Sequence, residues 1–210
     1  MVIAIVGVLI ISYFIGCIHG SNIAQLLSGV NLKETGLGNA GASNATLSLG
    51  WRYGILVGII DIGKGIFAIL LTRYILTNYT DFILEQISIL IYLSGAAVIL
   101  GHNFPIHMKF RGGKGTASLI GIFLTINWKI GLASILFLII ISLVTNYLLV
   151  GVFGLYISFG VTSLITEPTI WPFFIIMSLL ALAYYLHLEN IERIRLGTEP
   201  KVTAAFKKRT

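Results

Sequence analysis

Between residues 101 and 116 the chain reads Gly101-His-Asn-Phe-Pro-Ile-His-Met-Lys-Phe-Arg-Gly-Gly-Lys-Gly-Thr116. Arg111 and Lys114 flank Gly112-Gly113, and Gly115 follows. Successive glycine N–H groups can form an anion-binding nest, and the two cations add charge-assisted hydrogen bonds to a phosphate. A helix beginning near Thr116 would turn its positive end toward the same anion. The segment is not a Walker A loop, because Met108 stands where the earlier glycine belongs and Gly115 follows the lysine. A loop needed only for positive charge does not require Gly-Gly-Lys-Gly, so Arg111, Gly112, Gly113, Lys114 and Gly115 read as a phosphate cradle.

Two other polar segments invite chemistry. Glu34-Thr-Gly-Leu-Gly-Asn-Ala-Gly-Ala-Ser-Asn44 spells G-x-G-x-x-G through Gly36, Gly38 and Gly41. The dinucleotide fingerprint needs a preceding strand within a βαβ unit, and here the neighbours are long apolar runs. What remains is physical: glycines that let the backbone turn tightly, and Asn39, Ser43 and Asn44 as hydrogen-bonding side chains. An ordinary interhelical loop fits this segment equally well. The third segment, His187-Leu-Glu-Asn-Ile-Glu-Arg-Ile-Arg-Leu-Gly-Thr-Glu199, leaves the last apolar run. His187 and Asn190 share a face if the helix continues, and a histidine there can exchange a proton near neutral pH. Taken alone, a solvated amphipathic helix end is the simpler description.

The elements that must position these segments are membrane helices. The 210 residues are 57% hydrophobic and 10% charged, with a mean hydropathy of +0.96, whereas soluble domains carry roughly 25% charged residues. Spanning the hydrocarbon core takes ~20 apolar residues. The runs 2–26, 52–76, 86–104, 115–128, 130–148, 150–167 and 170–188 qualify, the fourth being short enough for a half-helix and the division at Asn146-Tyr147 being weak. The expectation is one all-α polytopic domain over 1–210 with about seven spans, six being the alternative. The first run lacks the basic start and small-residue cleavage site of a signal peptide, so it reads as a retained helix.

With seven spans, eleven of the fourteen Lys and Arg residues fall on the C-terminal side, from Lys33 and Arg52 to the FKKRT tail. Only Arg73 and Lys129 fall on the other, and Lys64 lies within a span. Cytoplasmic loops collect Lys and Arg, which predicts a cytoplasmic C-terminus, an outward N-terminus, and a tail suited to anionic lipid. The net charge of +6 thus reflects topology rather than nucleic-acid binding. The three polar segments then share the cytoplasmic side, which suggests one shared site. Asp61 and Lys64 sit inside the second span, where an isolated charge costs roughly 2.5–3.5 kcal/mol; three apart, they can neutralise each other. Cys17 is the single cysteine, so no disulfide forms within the chain. His19 and Cys17 read as packing residues, and no zinc spacing or Ser-His-Asp set is apparent.

With these segments in hand, the chain resembles the bacterial acyl-phosphate:glycerol-3-phosphate acyltransferases (the PlsY family) from about residue 10 to 201. The carrying motifs are Gly101-His-x-Phe-Pro-x5-Arg-Gly-Gly-Lys-Gly, His187-x-x-Asn-Ile-x-Arg-x5-Glu199, Gly38-Asn-x-Gly-x-Ser-Asn44, Asp61-x-x-Lys-Gly65 and Leu49-Gly50. The resemblance implies a seven-helix enzyme of the bacterial plasma membrane whose site faces the cytoplasm. It would move a fatty acyl group from acyl phosphate to the 1-hydroxyl of glycerol 3-phosphate, without acyl-CoA, cofactor or metal. It also implies Lys114, His187 and Asn190 as catalytic residues. Gly38, Asn39, Gly41, Ser43, Asn44, His102, Arg111, Gly112, Gly113 and Gly115 would bind substrate, with Asp61, Lys64 and Glu199 in support. Leu37 and Leu47 depart from the family, which usually has Ser and Arg there, and Gly16-Cys-Ile-His19 replaces its Gly-Ser-Ile-Pro. Leucine cannot replace a bidentate arginine, so a paralogue with another acceptor is the first alternative. A transport or assembly protein is the second, and it fits less well because the polar residues crowd one side instead of crossing the bilayer.

Overall fold

The structure, a computed structural model, describes residues 2–206. It is all-helical among those residues and divides into two compact units, Met1–Ile126 and Asn127–Thr210. The first unit contains α1 (Val2–Gly16), α2 (Gly20–Ser28), α3 (Ala42–Leu49), α4 (Trp51–Tyr79), α5 (Leu84–Asn103) and α6 (Thr116–Ile126). The second contains α7 (Trp128–Thr145), α8 (Leu148–Thr166), α9 (Trp171–Leu186) and α10 (Leu188–Arg195). Lys207, Lys208 and Arg209 of the basic tail lie outside the described residues.

Five helical stretches among the described residues are long and apolar enough to cross a membrane, or six if the bent pair α9–α10 is one span. The shorter apolar helix α6 is additional. These correspond one for one to the seven apolar runs of the sequence, and the chain is a polytopic membrane protein. At 1.5 Å per residue, α6 covers only about half of the ~30 Å core. The weak division between the fifth and sixth runs is a true break, because Asn146 adopts the left-handed conformation (φ 62°) and ends α7.

Within the first unit, small residues let the helices approach closely. A Cβ at Gly16 would overlap the Val98 carbonyl oxygen of α5, and one at Gly121 would overlap that of Ile62 in α4. Such small-residue seams are how helices associate when lipid offers no hydrophobic drive. A short polar chain adds to the seam: Ser94 Oγ lies 2.8 Å from Ser12 Oγ and 2.7 Å from Thr72 Oγ1, joining α5 to α1 and α4.

Two features depart from the sequence expectation. The first run is not one continuous helix, since it breaks at Cys17–His19. The polar segment after it is not all loop, because Ala42–Leu49 forms α3 with Gly41 as N-cap. The glycine-rich stretch leaves room for α3 to pack on α4, where a Cβ at Gly54 would overlap the Thr46 hydroxyl.

Candidate functional site

The break in the first run is held by a buried ion pair from the next span. Lys64 Nζ donates to the carbonyl oxygens of Gly16 (3.0 Å) and Ile18 (2.5 Å), which the interrupted helix leaves without intrahelical partners. Asp61 Oδ1 accepts from Gly20 N–H at 3.3 Å, at the start of α2, and lies 3.1 Å from Lys64 Nζ. A cation therefore sits at the C-terminus of α1 and an anion at the N-terminus of α2, each opposite in sign to the helix end it faces. The two charges anticipated as mutually neutralising are thus also the caps of a broken helix.

Lys64 Nζ makes one more contact, with His102 Nδ1 at 2.6 Å. An ammonium has no lone pair, so Nδ1 accepts and the neutral ring carries its proton on Nε2. That edge of the ring lies against the glycine loop: a Cβ at Gly113 would overlap Nε2, and one at Gly112 would overlap the His102 carbonyl oxygen. Gly112 N–H donates to Asn103 O (2.9 Å) and Gly113 N–H to His102 O (3.1 Å). The nest expected across these glycines therefore takes another form. Their N–H groups cap the carbonyls that end α5, and the first turn of α6, from Thr116 onward, adds further N–H donors that an anion could meet. Gly115, with φ +83°, makes the turn into that helix. Lys114 is half-buried beside this turn and Arg111 is exposed.

The segment beginning at Glu34 meets the glycine loop, since Lys33 Nζ, just before it, donates to Gly112 O at 3.4 Å. In the Glu34–Asn44 segment, Asn44 is buried and organises the loop. Its amide nitrogen donates to the carbonyls of Leu32, Thr35 and Asn39, and its oxygen accepts from Leu37 N–H and Ser48 Oγ. Gly38 (φ +65°) turns the chain, Asn39 and Gly41 are half-buried, and Ser43 is exposed at the start of α3. The third segment belongs to the second unit. Its helix does not continue through His187, because α9 and α10 meet there at 53°, so the expected shared face of His187 and Asn190 is bent. His187 Nδ1–H donates to Ala183 O (2.7 Å). Glu199 divides its carboxylate between Asn190 Nδ2 and Arg193 Nε, both at 2.7 Å, which fixes the Asn190 amide.

Sequence reasoning missed His19. It is buried and its ring stacks on His102 with centroids 4.6 Å apart, while neither ring nitrogen has a hydrogen-bond partner. His19, Asp61 and His102 offer ligand atoms within 4.8 Å of one another. Lys64 Nζ already contacts two of the three, so the positive centre of this cluster is an ammonium and the set does not suit a divalent metal. Nothing in the local sequence around His19 signals this, because its neighbours in space come from α4 and α5.

Comparison with known proteins gives the family. The family described as glycerol-3-phosphate acyltransferase matches residues 6–197. A curated glycerol-3-phosphate acyltransferase 1 from Oceanobacillus iheyensis is 46% identical over 200 residues, covering 95% of this chain and 96% of its own length. Glycerol-3-phosphate acyltransferase 2 from Thermotoga maritima is 36% identical over 195 residues, 92% of this chain and 94% of that one. Crystal structures of PlsY, an integral membrane glycerol 3-phosphate acyltransferase, also match. The glycerol 3-phosphate form superposes with a TM-score of 0.82 at 29% identity, over 94% of each chain. The lysophosphatidic acid form gives 0.80 at 28%, again over 94% of each. With the family match and its relatives running through nearly the whole sequence, this chain belongs to the glycerol-3-phosphate acyltransferase family.

Proposed function

We propose that the protein transfers a fatty acyl group from acyl phosphate to the 1-hydroxyl of glycerol 3-phosphate, giving lysophosphatidic acid for phospholipid synthesis. The observation that carries this reading is the 46% identity to a curated glycerol-3-phosphate acyltransferase across 95% of the chain. The hydroxyl oxygen bonds to the acyl carbon while the carbon–oxygen bond to phosphate breaks, and phosphate leaves. An acyl phosphate is already activated, so positioning and stabilisation of the developing oxyanion supply most of the acceleration. Lys114, the Gly112–Gly115 loop and the first turn of α6 hold the donor phosphate, with Arg111 at the rim and His102 behind. Gly38, Asn39, Gly41 and Ser43 shape the neighbouring loop that Asn44 ties together. His187 and Asn190 hold the acceptor, with Glu199 fixing Asn190. The hydroxyl proton has two chemically suitable acceptors, His187 and a substrate phosphate oxygen.

The distribution of Lys and Arg supports seven spans in a bacterial plasma membrane, with the N-terminus outside and both the C-terminus and the site in the cytoplasm. There the donor's tail lies among lipids while its phosphate meets the loop.

The test is acyl transfer by purified protein, with palmitoyl phosphate as donor and labelled glycerol 3-phosphate as acceptor. Lysophosphatidic acid should form, and Lys114→Ala should abolish it without loss of folded protein. Leu37 and Leu47, in place of the family's usual Ser and Arg, favour a second reading in which the acceptor differs. Donor hydrolysis without lysophosphatidic acid would select it, and neither reaction in folded protein would refute the enzyme reading.

A further inference from the structure

We propose that Lys64 is a positioning residue for the phosphate loop, acting through His102 from inside the membrane. This rests on the reading of the Gly112–Gly115 loop as the donor-phosphate site.

The connection is continuous from α4 to the loop. Asp61 Oδ1 is 3.1 Å from Lys64 Nζ, Lys64 Nζ is 2.6 Å from His102 Nδ1, and the Nε2 edge of that ring leaves no room for a Cβ at Gly113. His102 and Asn103 then hold the loop backbone through their carbonyl oxygens, which accept from Gly113 and Gly112 N–H. His19 stacks on one face of the His102 ring and closes that side. The ring is therefore clamped on one edge by a cation, on one face by an imidazole, and on its other edge by the loop.

Capping the broken first run does not require this contact. Lys64 would serve Gly16 and Ile18 equally well with no histidine beside it, and Asp61 already balances its charge. The hydrogen bond to His102 selects one tautomer and one ring orientation. Only then do the loop's two glycines fit against the end of α5, and only that register sets where Lys114 and the first turn of α6 begin. An error of about 1 Å in such a frame is enough to reduce turnover by as much as a hundredfold.

Removing one charge alone risks misfolding, because it strands the other in the membrane. The experiment therefore uses the neutral pair Asp61→Asn/Lys64→Met, with His102→Gln as an independent second variant. Steady-state transfer is measured against palmitoyl phosphate and glycerol 3-phosphate separately. The expected result is that each variant still folds and unfolds cooperatively, raises KM for palmitoyl phosphate about tenfold, and changes KM for glycerol 3-phosphate less than twofold. The combined variant should be no worse than either, since the residues act in series. Parental KM for the donor in any folded variant, or effects that multiply on combination, would overturn the proposal while leaving the enzyme reading intact. Should the parent show no transfer, donor affinity is read from its thermal stabilisation by palmitoyl phosphate, and the same comparison is made. A parent that neither transfers nor is stabilised refutes the phosphate-loop reading and this proposal with it.

Discussion

The two glycine-bearing loops of the first unit are built on opposite plans. Residues 32–48 are tied by one neutral side chain, Asn44, whose partners all lie within twelve residues of it. Residues 101–116 are tied from outside, by an ion pair on α4 and a carbonyl-rich break in the first run. The first loop can fold as soon as its own stretch is made. The second has turn hydrogen bonds of its own, but the His102 ring against which it packs is seated only when distant parts of the chain have come together. A local plan tolerates change elsewhere in the bundle, whereas a distributed plan makes the phosphate loop sensitive to a charge buried in the membrane.

That contrast is sharpest for Lys64→Met alone. It leaves the Asp61 carboxylate, 1% exposed, without its cation and with Gly20 N–H as a hydrogen-bond donor. Breaking a buried pair in this way costs about 3–5 kcal/mol, so thermal unfolding in detergent should show the largest loss of this series. Comparable stability in Lys64→Met and the parent would mean that the pair does not brace the break. Gly113→Ala comes next. Its methyl group meets a ring already held by Lys64 and His19, and overpacking of this kind costs about 1–3 kcal/mol, with acyl transfer falling at least tenfold. Transfer at the parental rate would show that the loop can shift away from His102 and still work. Asn44→Ala should cost a similar or smaller amount, about 1–3 kcal/mol for the carbonyls it orphans, because the half-exposed loop admits water to some of them. Proteolysis should open residues 32–41 first in that variant, and uniform loss of resistance across the protein would contradict the local plan.

The sequence carried the bundle far better than the clamp. Hydropathy located all seven apolar runs, since a span is a property of consecutive residues and needs no knowledge of neighbours. The glycine loop was legible for the same reason, and so was the Asp61–Lys64 pair, whose spacing of three places both on one helix face. What stayed hidden depends on packing. The break at Cys17–His19 contains no proline and becomes stable only because Lys64 and Asp61 receive its loose ends. His19 reads as a packing residue until α5 brings His102 against it. The inward turn of the Asn44 amide was not legible, because composition cannot distinguish an amide turned inward from one turned outward. The bend at His187 likewise interrupts a sequence whose helical pattern runs straight through.

The smallest effect expected belongs to a contact that neither loop uses. Ser94 bridges Ser12 and Thr72 in the interior of the first unit, and Ser94→Ala removes both bonds at once. Hydrogen bonds between membrane helices average only about 0.6 kcal/mol by double-mutant cycles, because the separated helices find other partners for the same groups. The hydroxyls of Ser12 and Thr72 can also turn back to their own helix carbonyls, which limits the cost further. The variant should melt within a few degrees of the parent and keep its donor KM unchanged. A large rise in donor KM or fall in turnover from Ser94→Ala would mean that helix seating in general governs the phosphate loop, and the Lys64–His102 contact would lose its special status.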